Sequence, residues 1–294
     1  MRSSLVCFGF LVCLAGAAGL SSASVPAFGG RSFGVGEATQ ATPQKFVSPA
    51  APLGESPTDV ASATGQAPDA PASIQASGDN QHPCADTMRA SLEQTFEQAW
   101  QGDTQAQYWL GVHYETGLCG LCKDDPLAVV WFKKAAEAGM AEARFALGKR
   151  CFFGVGVPQD LTQGAYWMHL AAQQDHAEAQ YRFAGCLEDG LGVTVDKAAA
   201  VYWYRRSAEL GYPQAQNMLG IFYINGSGVP RDAHTAFIWF QRAAAQGYAT
   251  AQFNLARNYE MGEGVDKNRE KALYWYQKAA RQGDADAQSR LEAF

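Results

Sequence analysis

One residue type sets a fixed period along the second part of this 294-residue chain. Five of the seven tryptophans recur every 36 residues, and several small residues and glycines keep the same step. A fixed period between about 20 and 50 residues is the signature of a solenoid, in which each repeat mainly contacts its neighbours. The sequence therefore predicts a stacked array of repeats. The tryptophans in register are Trp131, Trp167, Trp203, Trp239 and Trp275.

Within one repeat the pattern predicts two helices joined by a glycine turn. We number each repeat from a leading alanine, such as Ala143, as position 0. The first helix has small or apolar residues at positions 0, 4, 5 and 8, which places them on one face. It ends at a glycine such as Gly226, where a left-handed backbone is free of steric strain. Asp or Asn stands seven residues before each tryptophan and is expected to cap the second helix. Small residues beside the tryptophan favour close packing of the two helices.

The repeated strings resemble a known family. Residues 251–259 (AQFNLARNY), the turn from Gly262 to Val265 and residues 271–280 (KALYWYQKAA) resemble the Sel-one-like repeat (SLR), a relative of the tetratricopeptide repeat. The resemblance implies an all-α fold, namely a right-handed α-solenoid of five 36-residue helix-turn-helix repeats that serves as an adaptor or scaffold for other proteins. It does not identify the partner.

The solenoid is expected over residues 102–294, with residues 84–101 as an N-terminal capping helix. A terminal first helix is expected to cap the other end, because an uncapped array exposes its stacking face. The predicted repeats are residues 102–138, 139–174, 175–210, 211–246, 247–282 and a partial repeat, 283–294.

The first part of the chain has a different composition. Residues 1–24 combine Arg2, an apolar run and a group of small residues, which is typical of a secretory signal peptide; an uncleaved membrane anchor is the alternative. Residues 25–83 contain no tryptophan or tyrosine and are predicted to be a disordered low-complexity linker. We therefore expect an exported protein, in the periplasm, outside the cell or in the secretory lumen, with no membrane span after signal cleavage.

Charge and motifs exclude several classes of function. A net charge of −6 argues against nucleic acid as the partner. No phosphate loop, dinucleotide fingerprint or metal motif occurs, so we predict no cofactor, no metal and no catalytic residue. Some secreted, cysteine-rich SLR proteins are associated with β-lactam binding, but no serine here has lysine three positions later. A β-lactam-binding or hydrolysing protein thus stays an alternative only.

The expected binding surface is a concave groove lined by the first helices. Positions 3, 7 and 10 after the leading alanine share one side of the helix and vary between repeats, and we call them the groove face. Its aromatic rings, arginines and amides suit a protein or peptide segment. Packing of Phe153 and Phe222 against neighbouring helices is an equal alternative. The groove-face residues are Trp109, His113, Thr116, Ala146, Arg150, Phe153, Arg182, Cys186, Asp189, Met218, Phe222, Asn225, Asn254, Asn258 and Met261.

The cysteines leave several interpretations open. Cys119 and Cys122 lie in the one turn that is a residue longer than the others, and a local disulfide between them is the first interpretation. Pairing with Cys84, a redox site, or zinc binding together with His113 are alternatives. Cys151 occupies a position that is tyrosine in other repeats, so we expect it to be packed.

Taken together, the sequence predicts a non-enzymatic exported adaptor, scaffold or assembly factor that binds protein or peptide segments. A cell-wall glycan binder is a second alternative, because Trp109 and Phe222 could stack on sugar rings.

Overall fold

The structure, a computed structural model, describes residues 83–118 and 121–294. In these residues the chain forms twelve α-helices and no strand. The predicted signal peptide, all of the predicted linker except residue 83, and Cys119 lie outside the described residues. The helices are α1 Pro83–Trp100, α2 Thr104–Thr116, α3 Asp125–Glu137, α4 Ala141–Phe153, α5 Leu161–Ala172, α6 Ala177–Asp189, α7 Lys197–Glu209, α8 Pro213–Asn225, α9 Ala233–Ala245, α10 Ala249–Met261, α11 Arg269–Arg281 and α12 Ala285–Glu292.

The helices pack in chain order, each mainly against the one before and the one after it. The first helices of the five repeats are α2, α4, α6, α8 and α10, and the second helices are α3, α5, α7, α9 and α11. Helix α1 covers nearly the same residues as the predicted capping helix and buries Leu92, Phe96 and Ala99 in the first core cluster. The predicted all-α solenoid is confirmed.

Every first helix of a full repeat ends at a glycine in the left-handed conformation, as predicted. At Gly154, for example, φ is 71°, and its amide donates a hydrogen bond to the carbonyl of Arg150. The second helices stop at glycines that also have positive φ, except at Asp175, where φ is 58°. Asp175 is the one non-glycine residue with positive φ in the described ranges, and it forms an ion pair with Arg206.

The predicted caps of the second helices are also confirmed. In all five, the side chain of the Asp or Asn accepts a hydrogen bond from a backbone amide of the first turn. For Asp196 the acceptor is Oδ1 and the donor is the amide of Ala199, at 2.9 Å.

Removing one such cap should lower the stability of the protein by a measurable amount. We expect Asp196→Ala to lower the free energy of unfolding by about 1 kcal/mol, because the amide of Ala199 loses its acceptor. Asp196→Asn keeps an acceptor oxygen and should lose clearly less. Urea unfolding of the three proteins checks this, and equal losses for the two variants would contradict the assigned cap.

Glycine and alanine at position 5 of the first helix allow the second helix to pack closely. An added Cβ at Gly111 would lie 2.6 Å from the ring of Phe132, and one at Gly220 would lie 2.6 Å from the ring of Phe240. Both rings come directly after the tryptophan of their repeat and are buried. In these two repeats the core therefore forms where a glycine on one helix faces a large aromatic ring on the other.

A row of side-chain hydrogen bonds links each first helix to the preceding second helix. The residue at position 1 donates to a backbone carbonyl eight residues earlier, near the end of that second helix. Each of these carbonyls already accepts a hydrogen bond from the amide three residues later, so the side chain supplies a second donor at the end of the helix. The donor and acceptor residues are Gln107 and Ala99 (3.2 Å), Arg144 and Ala136 (3.1 Å), Gln180 and Ala172 (3.0 Å), Gln216 and Ala208 (3.0 Å), Gln252 and Ala244 (3.2 Å), and Gln288 and Ala280 (3.3 Å).

Candidate binding groove

The structure divides the predicted groove face by position. Residues at position 10 are exposed, and those at position 3 are exposed or half-buried. Position 7 is mostly buried. The exposed members are Trp109 (48%), Thr116, Phe153 (49%), Asp189, Asn225 and Met261; the half-buried ones are His113, Ala146, Arg182, Met218 and Asn254; the buried ones are Arg150 (5%), Cys186 (3%), Phe222 (3%) and Asn258 (3%).

The prediction that position 7 is exposed in an open groove is wrong for Arg150, Cys186, Phe222 and Asn258, which are all buried. With about 100° per residue, position 7 lies only about 20° from the leading alanine on the helical wheel, beside the core positions. Phe222 packs against the ring of Tyr204, with centroids 5.4 Å apart. Nδ2 of Asn258 is buried and has no hydrogen-bond partner among the described residues.

Arg150 is buried as part of an ion-pair network. Its guanidinium nitrogens lie 2.9 Å from Oε1 of Glu115 and 3.0 Å from Oδ1 of Asp125, so it joins the second repeat to both helices of the first. The guanidinium also lies over the ring of Phe132, 5.4 Å from its centroid. The hydrogen bond from Arg150 holds the pKa of Asp125 below its ordinary value. Arg150 is therefore a structural residue that forms one wall of the groove.

An open cavity of about 420 Å³ lies between α2, α4 and the start of α6. Three groove-face residues line it, namely Ala146, Arg150 and Phe153, and half of its twelve lining residues come from positions −1, 2, 6 and 9, which lie opposite the core on the helical wheel. The predicted groove face does not include these four positions, although repeated aromatic residues at position 2 were a signal for them. The lining residues are Tyr108, Glu115, Phe132, Glu142, Phe145, Ala146, Lys149, Arg150, Phe153, Val155, His176 and Glu178.

Aromatic and charged groups alternate around this cavity. The ammonium of Lys149 lies 4.8 Å from the centroid of Phe145, and the ring of His176 lies 4.6 Å from it on a tilted plane. Nδ1 of His176 accepts a hydrogen bond from the amide of Ala179, which caps α6. Burial lowers the pKa of His176, so the uncharged ring that this cap requires is favoured. The cavity therefore has apolar faces with a charged rim, a combination that suits a protein segment.

Two of the cysteines are buried, and the disulfide between Cys119 and Cys122 stays a prediction. Burial raises the pKa of Cys151 to about 11 and that of Cys186 to about 12, so both thiols stay protonated and unreactive at neutral pH. The expected packing of Cys151 is confirmed. Cys122 is exposed and forms no disulfide with Cys151 or Cys186. Because Cys119 lies outside the described residues, its pairing with Cys122 stays a prediction.

The described residues contain neither a candidate metal site nor a helix that could span a membrane. No group of three or more His, Cys, Asp or Glu side chains in residues 83–118 and 121–294 is arranged to hold a metal ion. None of the twelve helices is long and apolar enough to cross a bilayer.

A family model for the Sel1 repeat matches five consecutive segments, residues 104–140, 141–176, 177–212, 213–248 and 249–284. This chain belongs to the Sel1 repeat family. Each matched segment starts two residues after the predicted repeat, at the first helix and not at the preceding glycine stop. Sel1 repeats form helical scaffolds that mediate protein–protein interaction.

Solved structures and one curated protein are also similar to this chain. A Sel1 repeat protein of Oxalobacter formigenes is 32% identical, with a TM-score of 0.65, and the match covers 71% of this chain and 82% of that one. A protective antigen with an SLR fold from uropathogenic Escherichia coli strains is 32% identical, with a TM-score of 0.65, over 70% of this chain and 48% of that one. The chitin synthase regulator SKT5 of Malassezia restricta is 39% identical over 64 residues, which are 21% of this chain and only 4% of that protein.

Proposed function

We propose that this Sel1 repeat protein is an exported, non-enzymatic adaptor that binds a segment of another protein along its first helices. The main support is the open cavity between α2, α4 and α6, which is lined by buried aromatic rings and by the exposed ring of Phe153. Trp109 and Phe153 are each about half exposed, on neighbouring first helices. Large exposed rings of this kind are the residues that most often dominate binding energy in protein interfaces.

The charged residues at the rim of the cavity would orient a bound segment. Glu142 and Glu178 line one part of the cavity, whereas Lys149 lies on the ring of Phe145. A bound segment would bury an apolar side chain in the cavity and place polar groups at the rim. Charges arranged in this way contribute more to orientation and association rate than to affinity.

The proposal predicts that two exposed rings carry much of the affinity. We expect the double variant Trp109→Ala and Phe153→Ala to reduce capture of the native partner at least tenfold, measured by quantitative mass spectrometry with the chain lacking residues 1–24 as bait. Tyr274→Ala is the matched control, since Tyr274 is 51% exposed but lies on a second helix, α11. A partner captured equally by the wild type and the double variant would argue against this groove.

Trp109 also favours a second candidate, a cell-wall glycan binder. An indole with half of its surface exposed could stack on a sugar ring. Phe222, the other ring considered for this role, is buried and unavailable. Binding of purified wall polymer that is lost in Trp109→Ala, with no protein captured, would favour this candidate over the adaptor.

A further inference from the structure

Three repeats carry a glutamate at position 9 of the first helix, and two of these glutamates are bound by an arginine from the next first helix. Oε1 of Glu115 lies 2.9 Å from Nη2 of Arg150. Both oxygens of Glu260 accept hydrogen bonds from Arg290, at 2.6 Å from Nη2 and 3.1 Å from Nε. The array therefore uses the same carboxylate position twice to bind a guanidinium.

Glu188 is the third of these glutamates, and no arginine is paired with it. The arginines come from positions 7 and 3 of the following first helix, and in α8 these positions are Phe222 and Met218. Oε2 of Glu188 accepts a hydrogen bond from the hydroxyl of Tyr204 at 2.8 Å. The equivalent bond from Tyr276 to Glu260 is 2.7 Å long. Glu188 thus has the local geometry of Glu260 without its guanidinium.

The surroundings of Glu188 leave its negative charge poorly compensated. Burial raises the pKa of Glu188, and Asp189 raises it further, whereas the bond from Tyr204 and the charge of Lys197 lower it without cancelling the effect of burial. At Glu260 burial also raises the pKa, but hydrogen bonds from Arg290 and Tyr276 bring it below the ordinary value. The pKa of Glu188 is therefore raised and that of Glu260 is lowered, as expected if only Glu260 is bound by an arginine.

Tyrosine rings pack against one another next to the hydrogen bond that Glu188 accepts. Tyr181 and Tyr212 have centroids 5.3 Å apart, and Tyr181 lies 5.7 Å from Tyr204, which donates to Glu188. The guanidinium of Arg182 already lies over the ring of Tyr181, 5.9 Å from its centroid, so these rings accept an arginine within the chain. A guanidinium is weakly hydrated and stacks readily on aromatic faces, which favours it over an ammonium group.

We propose that Glu188 binds the guanidinium of an arginine side chain from the partner segment, as Glu260 binds that of Arg290. This inference rests on the proposed adaptor function and specifies the chemistry of the partner. Asp189, an exposed groove-face residue next in the chain, adds a second negative charge at the same place. The net charge of −6 also favours a basic segment.

The test uses two short peptides with blocked ends. One has three arginines separated by glycine and serine, and the other has citrulline, which is uncharged and nearly isosteric, in place of each arginine. We expect the arginine peptide to bind at low salt in isothermal titration calorimetry and the citrulline peptide to bind at least tenfold more weakly. Glu188→Gln should reduce binding of the arginine peptide at least tenfold. Glu209→Gln, which removes an exposed charge from α7, should leave binding unchanged.

A second variant supplies the missing arginine from within the chain. Met218→Arg places an arginine at the same position of α8 that Arg290 has in α12, and it should block the arginine peptide while raising the melting temperature. The stabilisation should disappear when Glu188→Gln is added. Equal loss in Glu188→Gln and Glu209→Gln, or equal binding of a peptide with lysine in place of arginine, would overturn the assignment.

The results of the peptide test and of the partner-capture test can differ, so the two proposals can fail independently. If the arginine peptide binds through Glu188 but the native partner is still captured by the Trp109 and Phe153 double variant, the groove assignment fails and the guanidinium site stands. If capture needs those rings but Glu188→Gln and Glu209→Gln bind the arginine peptide equally, the reverse holds.

Discussion

Gly192→Ala is expected to lower the free energy of unfolding by about 3 kcal/mol, a large part of the 5 to 15 kcal/mol of a typical domain. An added Cβ would lie 2.1 Å from the carbonyl oxygen of Leu161 and 2.4 Å from its carbonyl carbon. These are backbone atoms at the start of α5, so the clash cannot be relieved by rotating a side chain. The turn of the third repeat and the helix of the second would have to separate, which weakens the contact between repeats.

Backbone strain contributes to this loss, because φ of Gly192 is 73°. Gly211→Ala isolates that contribution, since φ of Gly211 is 91° and an added Cβ would have no atom within 4 Å. We expect Gly211→Ala to lose about 1 to 2 kcal/mol, from strain alone. Urea unfolding gives both values, and hydrogen exchange should show reduced protection in α5 only for Gly192→Ala. Equal losses would mean that the close approach to Leu161 has no energetic effect.

The parts of the fold that depend on short sequence patterns could be predicted. Turn glycines such as Gly154 and caps such as Asp196 act within a few residues of their own position, and the 36-residue period repeats them along the chain. Their conformations follow from sterics and from hydrogen bonds to the nearest amides. The same logic placed the ends of the helices and the small residues of the core.

The binding site was predicted less well, because it depends on contacts between residues far apart in the chain. Arg150 meets Glu115 and Asp125, which are 35 and 25 positions earlier, and no pattern within α4 indicates that pairing. The helical wheel also misled at position 7, where closeness to the core outweighs variation between repeats. The pattern of glutamates at position 9 did not indicate a binding site. Glu188 stands out only because the structure pairs the equivalent glutamates of two other repeats with arginines.

Arg150→Ala is the second substitution with a large expected effect, about 2 to 4 kcal/mol. Removing one partner of a buried ion pair is strongly destabilising because the remaining charges lose compensation. The loss should fall below the largest such values, since the side chain of Glu115 is 45% exposed and regains water. The control is Arg182→Ala, which removes a half-buried guanidinium 3.5 Å from Glu178 within one helix and should lose at most about 0.5 kcal/mol.

The pH dependence identifies the ion pair as the cause. The hydrogen bond from Arg150 lowers the folded-state pKa of Asp125, so its stabilisation is present above the unfolded pKa and is lost as the pH falls through the folded one. The difference in unfolding free energy between wild type and Arg150→Ala should therefore be largest near pH 7 and shrink in acid. Arg150→Met removes the guanidinium but keeps a long apolar side chain in the buried position, so it should show the same pH dependence with a smaller total loss. A difference that stays constant from pH 7 to well below the folded pKa would instead assign the role of Arg150 to packing.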